Sequence, residues 1–274
     1  MQTGAPSRTA MAVARARADH QTADEPRIFT DPLAERIVGP AAPRTSDFDR
    51  DLDDVVRRRR LMIAARSRFA DDTVAAAIVA GTRQVVVLGA GLDTSAYRNT
   101  HSDVRFFEVD HPDTQAWKRH RLAESGVAVP DTLTFAPVDF ERTDLGEGLS
   151  AAGFDRSGAV VFVWLGVVMY LTRASLTQTL RYLGGQDAPA EVVLDYLYPP
   201  SGSAAQQARA DRVAAVGEPW IGQYTAEEIG AELSAAGFAR IQDLPAAEIV
   251  ARYTNRTASG TSDSGPHLIH ASTA

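Results

Sequence analysis

Val85-Val-Val-Leu-Gly-Ala-Gly-Leu-Asp-Thr-Ser-Ala-Tyr-Arg98 decides the fold class of this chain. Four apolar residues run into Gly89, and Gly91 follows where a ligand would have to approach the backbone closely. Asp93 or Thr94 is placed to cap the helix that comes next. A buried strand, a glycine turn and a helix open a doubly wound α/β sheet, whose ligands sit at the carboxyl ends of the strands.

The same alternation continues on the C-terminal side. Arg105–Asp110, Leu133–Asp139, Ala159–Leu165 and Glu191–Leu197 are short runs apolar enough for strands covered on both faces. Helical patterns at Asp113–Ser125 and Arg173–Leu183 fill gaps between them. Thr225-Ala-Glu-Glu228 is a capping box for a helix through Ala236, stopped by Gly237. Phe238–Leu244 and His267–Ala271 are two late strands, and Thr257–Gly265 between them is a Ser/Thr/Gly-rich loop. The whole reads as a Rossmann-like, mostly parallel sheet.

On the N-terminal side lies a helical region. Its main element runs from about Asp51 to Ala80, and the helical period puts Met62, Ala65, Phe69, Ala76 and Val79 on one face. Arg66 flanks that face, and a charge held there needs a partner. The expected division is residues 1–81 as a helical cap and residues 82–274 as the Rossmann-like domain.

Composition removes several functions. The 274 residues carry a formal charge of -7, which disfavours nucleic-acid phosphates and anionic membranes. Cysteine is absent, so thiolate catalysis, disulfides and Cys-ligated zinc are excluded. No apolar run suits a signal peptide or a membrane span, which makes the cytoplasm the expected location. His111 and Asp113 beside Glu108 and Asp110 lack a second histidine, so no metal is expected.

The candidate ligand groups lie at strand ends. Glu108 and Asp110 are two apart and share a face, and a carboxylate there accepts both hydroxyls of an adenosine ribose. NAD and S-adenosylmethionine both carry that ribose, and capping of the helix at His111-Pro112 is the plainer role of Asp110. Threonine at position 94, where a dinucleotide fingerprint wants a third glycine, counts against NAD. Asp139 and Phe140 end the third strand, an acid and an aromatic that suit adenine's amino group and face, or an ordinary turn. Tyr170, Tyr196, Tyr198, Trp220 and Tyr224 sit at or after strand ends. They are candidates to line an acceptor pocket, with core or lid packing the plainer role of each.

Val87-Leu-Gly-Ala-Gly-Leu-Asp-Thr94 with Tyr97-Arg98, Phe107-Glu-Val-Asp-His-Pro112 and Gly166-Val-Val-Met-Tyr-Leu-Thr172 strongly resemble blocks of the leucine carboxyl methyltransferase-like family. Asp31-Pro-Leu-Ala-Glu-Arg36, Ala65-Arg-Ser-Arg-Phe69 and Gly217-Glu-Pro-Trp220 fit it as well, so the resemblance spans nearly the whole chain. It implies a class I methyltransferase fold with S-adenosylmethionine as cofactor and a carboxylate as usual acceptor. Arg66 would hold the cofactor's carboxylate, and Gly89, Ala90 and Gly91 would lie against its methionyl part. Asp110, with Glu108 beside it, would take the ribose, and Asp139 and Phe140 would frame the adenine. Leu165 stands at this edge where protein-methylating members carry a glutamate, and Arg8 is a candidate for the basic residue that accompanies it. The lost acid points to a small-molecule acceptor, as in bacterial polyketide carboxyl methylation.

A carboxylate is already ionised at neutral pH and needs no general base. That agrees with finding no His/Asp dyad along the sequence, whereas a phenol acceptor would want one. A short-chain dehydrogenase is excluded, because the single lysine, Lys118, has no tyrosine four residues before it. Another nicotinamide oxidoreductase and a non-catalytic metabolite-binding module remain as alternatives. The oligomeric state is not legible.

Overall fold

Five apolar runs become parallel strands: Gln84–Leu88 (β1), Arg105–Asp110 (β2), Leu133–Pro137 (β3), Val160–Trp164 (β4) and Ala190–Leu197 (β5). The computed structural model describes residues 8–39, 53–140, 143–199, 210–211, 214–215, 219–254 and 264–274. Every residue of β1 and β4 is buried, as strands covered on both faces require. Arg240–Pro245 (β6) and Pro266–Ser272 (β7) complete a sheet of order β3-β2-β1-β4-β5-β7-β6, with β7 antiparallel to both its neighbours. Strand order reverses between β1 and β4, which opens the ligand crevice at their carboxyl ends.

Helices cover both faces. Leu145–Ala151 (α6), Arg173–Gly184 (α7) and Ala226–Ala235 (α8) lie over one of them, burying Trp164, Tyr196, Leu176 and Leu233 in a single core. The opposite face packs Val87, Val163 and Leu268 against Asp53–Val79 (α3) and Ala246–Tyr253 (α9). Arg8–Ala23 (α1) and Ala34–Val38 (α2) bring Ala14, Ala18 and Ile37 onto Leu92 and onto Leu122 of Pro112–Glu124 (α5). Ser95–Arg98 (α4) is the short helix after the glycine turn. Among the described residues no helix is long and apolar enough to cross a membrane.

The capping box at α8 is present in both halves, Thr225 Oγ1 accepting from the Glu228 N–H and Glu228 Oε2 from the Thr225 N–H. The expected buried face of α3 is corrected at its C-terminal end. Met62, Ala65 and Phe69 are buried, but Ala76 and Val79 are exposed and Ala77 and Ile78 take their place. The cause is tertiary: the end of α3 packs against Ile249 of α9, which turns the buried stripe to Ala70, Val74 and Ala77. The expected start of that helix at Asp51 and most of the loop 257–265 lie outside the described residues.

Buried charge ties the N-terminal helices together. Asp24 accepts from Arg60 Nε at 2.6 Å and Nη2 at 2.8 Å, and lies 2.8 Å from His20 Nδ1. Burial alone would raise its pKa, but the bonds from Arg60 and His20 outweigh burial and hold it well below the usual carboxylate range.

Candidate functional site

Gly89 and Gly91 have φ of +62° and +45°, left-handed conformations that favour glycine. Beside Gly89 the space is restrictive as well. A Cβ on Gly89 would collide with Val167 Cγ2, whereas one on Gly91 would make an ordinary contact, 3.4 Å from the Ala10 Cβ of α1. Ala90 is buried, and its N–H donates to the Val109 carbonyl at 3.0 Å, which fixes the turn to the end of β2. Thr94 does not cap α4 through its side chain: its hydroxyl donates to Asp31 Oδ2 at 2.7 Å, while Asp93 Oδ1 accepts the Ser95 N–H at 2.8 Å. Two blocks 63 residues apart in sequence thereby meet at the turn.

Asp110 closes against that turn. Its Oδ2 accepts the Gly91 N–H at 2.5 Å and its Oδ1 the His111 N–H at 2.7 Å. Burial raises its pKa, and those two N–H groups oppose the rise. An ionised carboxylate has about four acceptor sites, so roughly two remain for hydroxyl donors. The plainer role, capping α5, falls instead to His111, whose Nδ1 accepts the Asp113 N–H.

Glu108 shares that face but lies deeper. It is 1% exposed, and its Oε2 is 2.8 Å from Nζ of Lys118, which also donates to the Asp93 carbonyl at 2.8 Å. Burial pushes the Glu108 carboxyl up to about 7 against the pull of Lys118. The single lysine of the chain is thus a strut behind the glycine turn, a role its sequence position does not announce. Asp139 is on the rim, its Oδ2 3.7 Å from His111 Nε2, and Phe140 is half-buried against the core of the α7 side.

Arg66 has a partner within the chain. Its guanidinium pairs with Asp195 of β5, whose other oxygen accepts the Gly166 N–H at 2.5 Å. Arg66 Nε remains buried without a hydrogen bond among the described residues. Leu165, half-buried, precedes this unit at the end of β4. Asp195 escapes a sequence reading because it sits inside an otherwise apolar strand, 129 residues from Arg66.

The five aromatic candidates gather around the ends of β4 and β5. Trp220 Nε1 donates to Tyr170 Oη at 3.4 Å, and the Tyr224 N–H donates to the Leu197 carbonyl at 3.0 Å. Tyr196 is fully buried, and its hydroxyl donates to Asp243 Oδ2 at 2.7 Å. Tyr198 lies against the ring of His267. The expectation of no His/Asp dyad is corrected here: His267 Nδ1 is 3.1 Å from Asp243 Oδ1. Those residues are 24 apart, and the antiparallel pairing of β6 with β7 brings them together. Arg8 is the first residue of α1.

A cofactor with an adenosine ribose and a carboxylate fits this arrangement on three counts. Gly89 and Gly91 hold left-handed backbone at a strand end, Asp110 keeps acceptor capacity, and Arg66 keeps an unused donor.

A family profile described as leucine carboxyl methyltransferase matches residues 10–184. A Bacillus subtilis protein, provisionally named S-adenosyl-L-methionine-dependent methyltransferase YktD, is 27% identical over 99% of both chains. Proteins of the same provisional description from Streptomyces coelicolor and Frankia alni are 36% and 37% identical, over 66% of this chain and 65% and 64% of theirs. This chain therefore spans slightly under two thirds of those two relatives. Among solved structures, a provisionally named methyltransferase from Thermobifida fusca superposes with a TM-score of 0.61 at 18% identity, covering 95% of this chain and 94% of that one. A DUF574 family protein from Streptomyces avermitilis gives 0.56 at 16%, covering 94% and 95%. At such identities the likeness shows a shared fold.

Proposed function

From the premise that the chain belongs to the leucine carboxyl methyltransferase family of S-adenosylmethionine-dependent methyltransferases, we propose that it methylates a carboxylate of a small molecule. We place that reaction in the cytoplasm, in secondary metabolism of a polyketide-like kind. The observation that carries the reading is the glycine turn closed onto Asp110, inside the span the family profile matches. Leu165, in place of an acid, supports a small acceptor over a protein tail.

S-adenosylmethionine, when bound, supplies a methyl group activated on a sulfonium, and the protein supplies proximity and alignment. Gly89, Ala90 and Gly91 would lie against its methionyl part. Asp110 takes the ribose hydroxyls on its free acceptor sites, and Asp139 with Phe140 frames the adenine. Arg66, steadied by Asp195, offers a donor to the carboxylate end. Glu108 acts one layer behind, through Lys118 and the Asp93 carbonyl. In this reading residues 1–81 are a cap over residues 82–274, supported by Ala10 against Gly91 and Arg66 against Gly166. Tyr170, Tyr198, Trp220 and Tyr224 border the acceptor, and Tyr196 anchors Asp243 beneath them.

A hydroxyl acceptor is the second reading, and the Asp243–His267 pair favours it, since a hydroxyl needs a base. The test is the product. A methyl ester that releases methanol in mild alkali, formed at a rate flat across the histidine range near pH ~6.5, supports the carboxylate. A base-stable ether, formed faster as pH rises, overturns it.

A further inference from the structure

The strand register places His267 at the acceptor end of the sheet. Val87 lies opposite Val163, Trp164 opposite Leu194, and Tyr196 opposite His267. Tyr196 and His267 are therefore level with Ala90 and Gly166, just past the last rung shared by β1 and β4. β7 is three strands from β1, roughly 14 Å at ~4.8 Å per strand.

The imidazole is fixed on three sides. Nδ1 is 3.1 Å from Asp243 Oδ1 and 3.3 Å from Tyr196 Oη, and the rings of Tyr196 and Tyr198 lie 5.2 Å and 5.1 Å from its centroid. The other oxygen of Asp243 already accepts the Tyr196 hydroxyl. A carboxylate flanked in this way selects the tautomer with the ring hydrogen on Nδ1, in which Nε2 is a bare acceptor. His267 is 2% exposed, and Nε2 has no hydrogen-bond partner among the described residues. A buried acceptor left unmet is destabilising, so the site is built for a donor. An ionised carboxylate has none to give.

We propose that His267 reads a hydroxyl on the acceptor, so that the substrate is a ring-bearing hydroxycarboxylic acid. Its hydroxyl donates to His267 Nε2, its ring lies among Tyr198, Trp220 and Tyr170, and its carboxylate takes the methyl. Asp243 and Tyr196 hold the imidazole in the accepting tautomer. The inference rests on the carboxylate reading above, and it adds the specificity that a bare carboxylate site would lack. A site that hydrogen-bonds a substrate hydroxyl discriminates strongly against the analogue without it.

The test uses the full chain saturated with S-adenosylhomocysteine and matched acids: benzoate with 2- and 4-hydroxybenzoate, and 2-naphthoate with 3-hydroxy-2-naphthoate. Calorimetry gives the affinities, and 15N-histidine labelling follows the Nε2 resonance of His267. At least one hydroxylated acid is expected to bind about tenfold tighter than its parent or better, and to move that resonance. The advantage should vanish in His267→Phe; should that variant not fold, the wild-type resonance decides alone. Equal affinities within every pair, no binding by any hydroxylated acid, or an advantage that survives His267→Phe overturns the proposal. Methyl recovered on the hydroxyl as an ether would instead overturn the carboxylate reading and leave the His267 contact standing.

Discussion

The two halves of the crevice are assembled differently. On the β1–β3 side each group comes from a strand and the turn that follows it: Gly89 and Gly91 after β1, Asp110 at the end of β2, Asp139 and Phe140 after β3. On the β4–β7 side each unit joins distant segments: Arg66 with Asp195 and Gly166, Tyr170 with Trp220, His267 with Asp243 and Tyr196. The first half is local in sequence and the second is tertiary. Substitutions should therefore act on ligand affinity in the first half, and largely through buried partners in the second.

The largest expected effect is Asp195→Ala. It leaves the Arg66 guanidinium buried without a counter-charge, and breaking a buried pair in this way costs about 3–5 kcal/mol. Chemical denaturation would measure it, and a loss under ~1 kcal/mol would mean that Arg66 finds water or another partner. Glu108→Ala belongs with it despite its place in the first half, because it strands Lys118 in the same way. Asp110→Ala should act mainly on binding, costing less stability than the loss of either buried pair while weakening S-adenosylmethionine binding at least about tenfold. Should Glu108→Ala weaken binding more than Asp110→Ala, the ribose acid is the other carboxylate.

Acid sharpens the contrast. Asp24 has a depressed pKa, so its contribution is present above the unfolded value of 3.8 and is lost as pH falls below it. Glu108 is raised from 4.5 to about 7, so the folded state binds the extra proton and stability declines as pH climbs through that window. Glu108→Gln should flatten the decline and Asp24→Asn the acid loss, both read from melts across pH. The smallest effect is expected at Thr225→Ala, about 1 kcal/mol from the loss of the α8 cap.

Legibility follows the same division. The strands, the capping box and the glycine turn are readable because hydrophobic period and turn chemistry are local. The C-terminal end of α3 is not, since only the docking of α9 decides that Ala77 and Ile78 are buried and Val79 is not. Asp195 and Lys118 look like an interruption in a strand and a stray cation until their partners are in view. The Asp243–His267 pair needs an antiparallel register that neither strand carries alone.

The comparison rests most directly on one titration, S-adenosylhomocysteine into wild type, Asp110→Ala and His267→Phe under one condition. The predicted result is a loss of at least about tenfold in Asp110→Ala and an unchanged affinity in His267→Phe. An unchanged affinity in Asp110→Ala, or a comparable loss in His267→Phe, would contradict the assignment of Asp110 to the cofactor and of His267 to the acceptor.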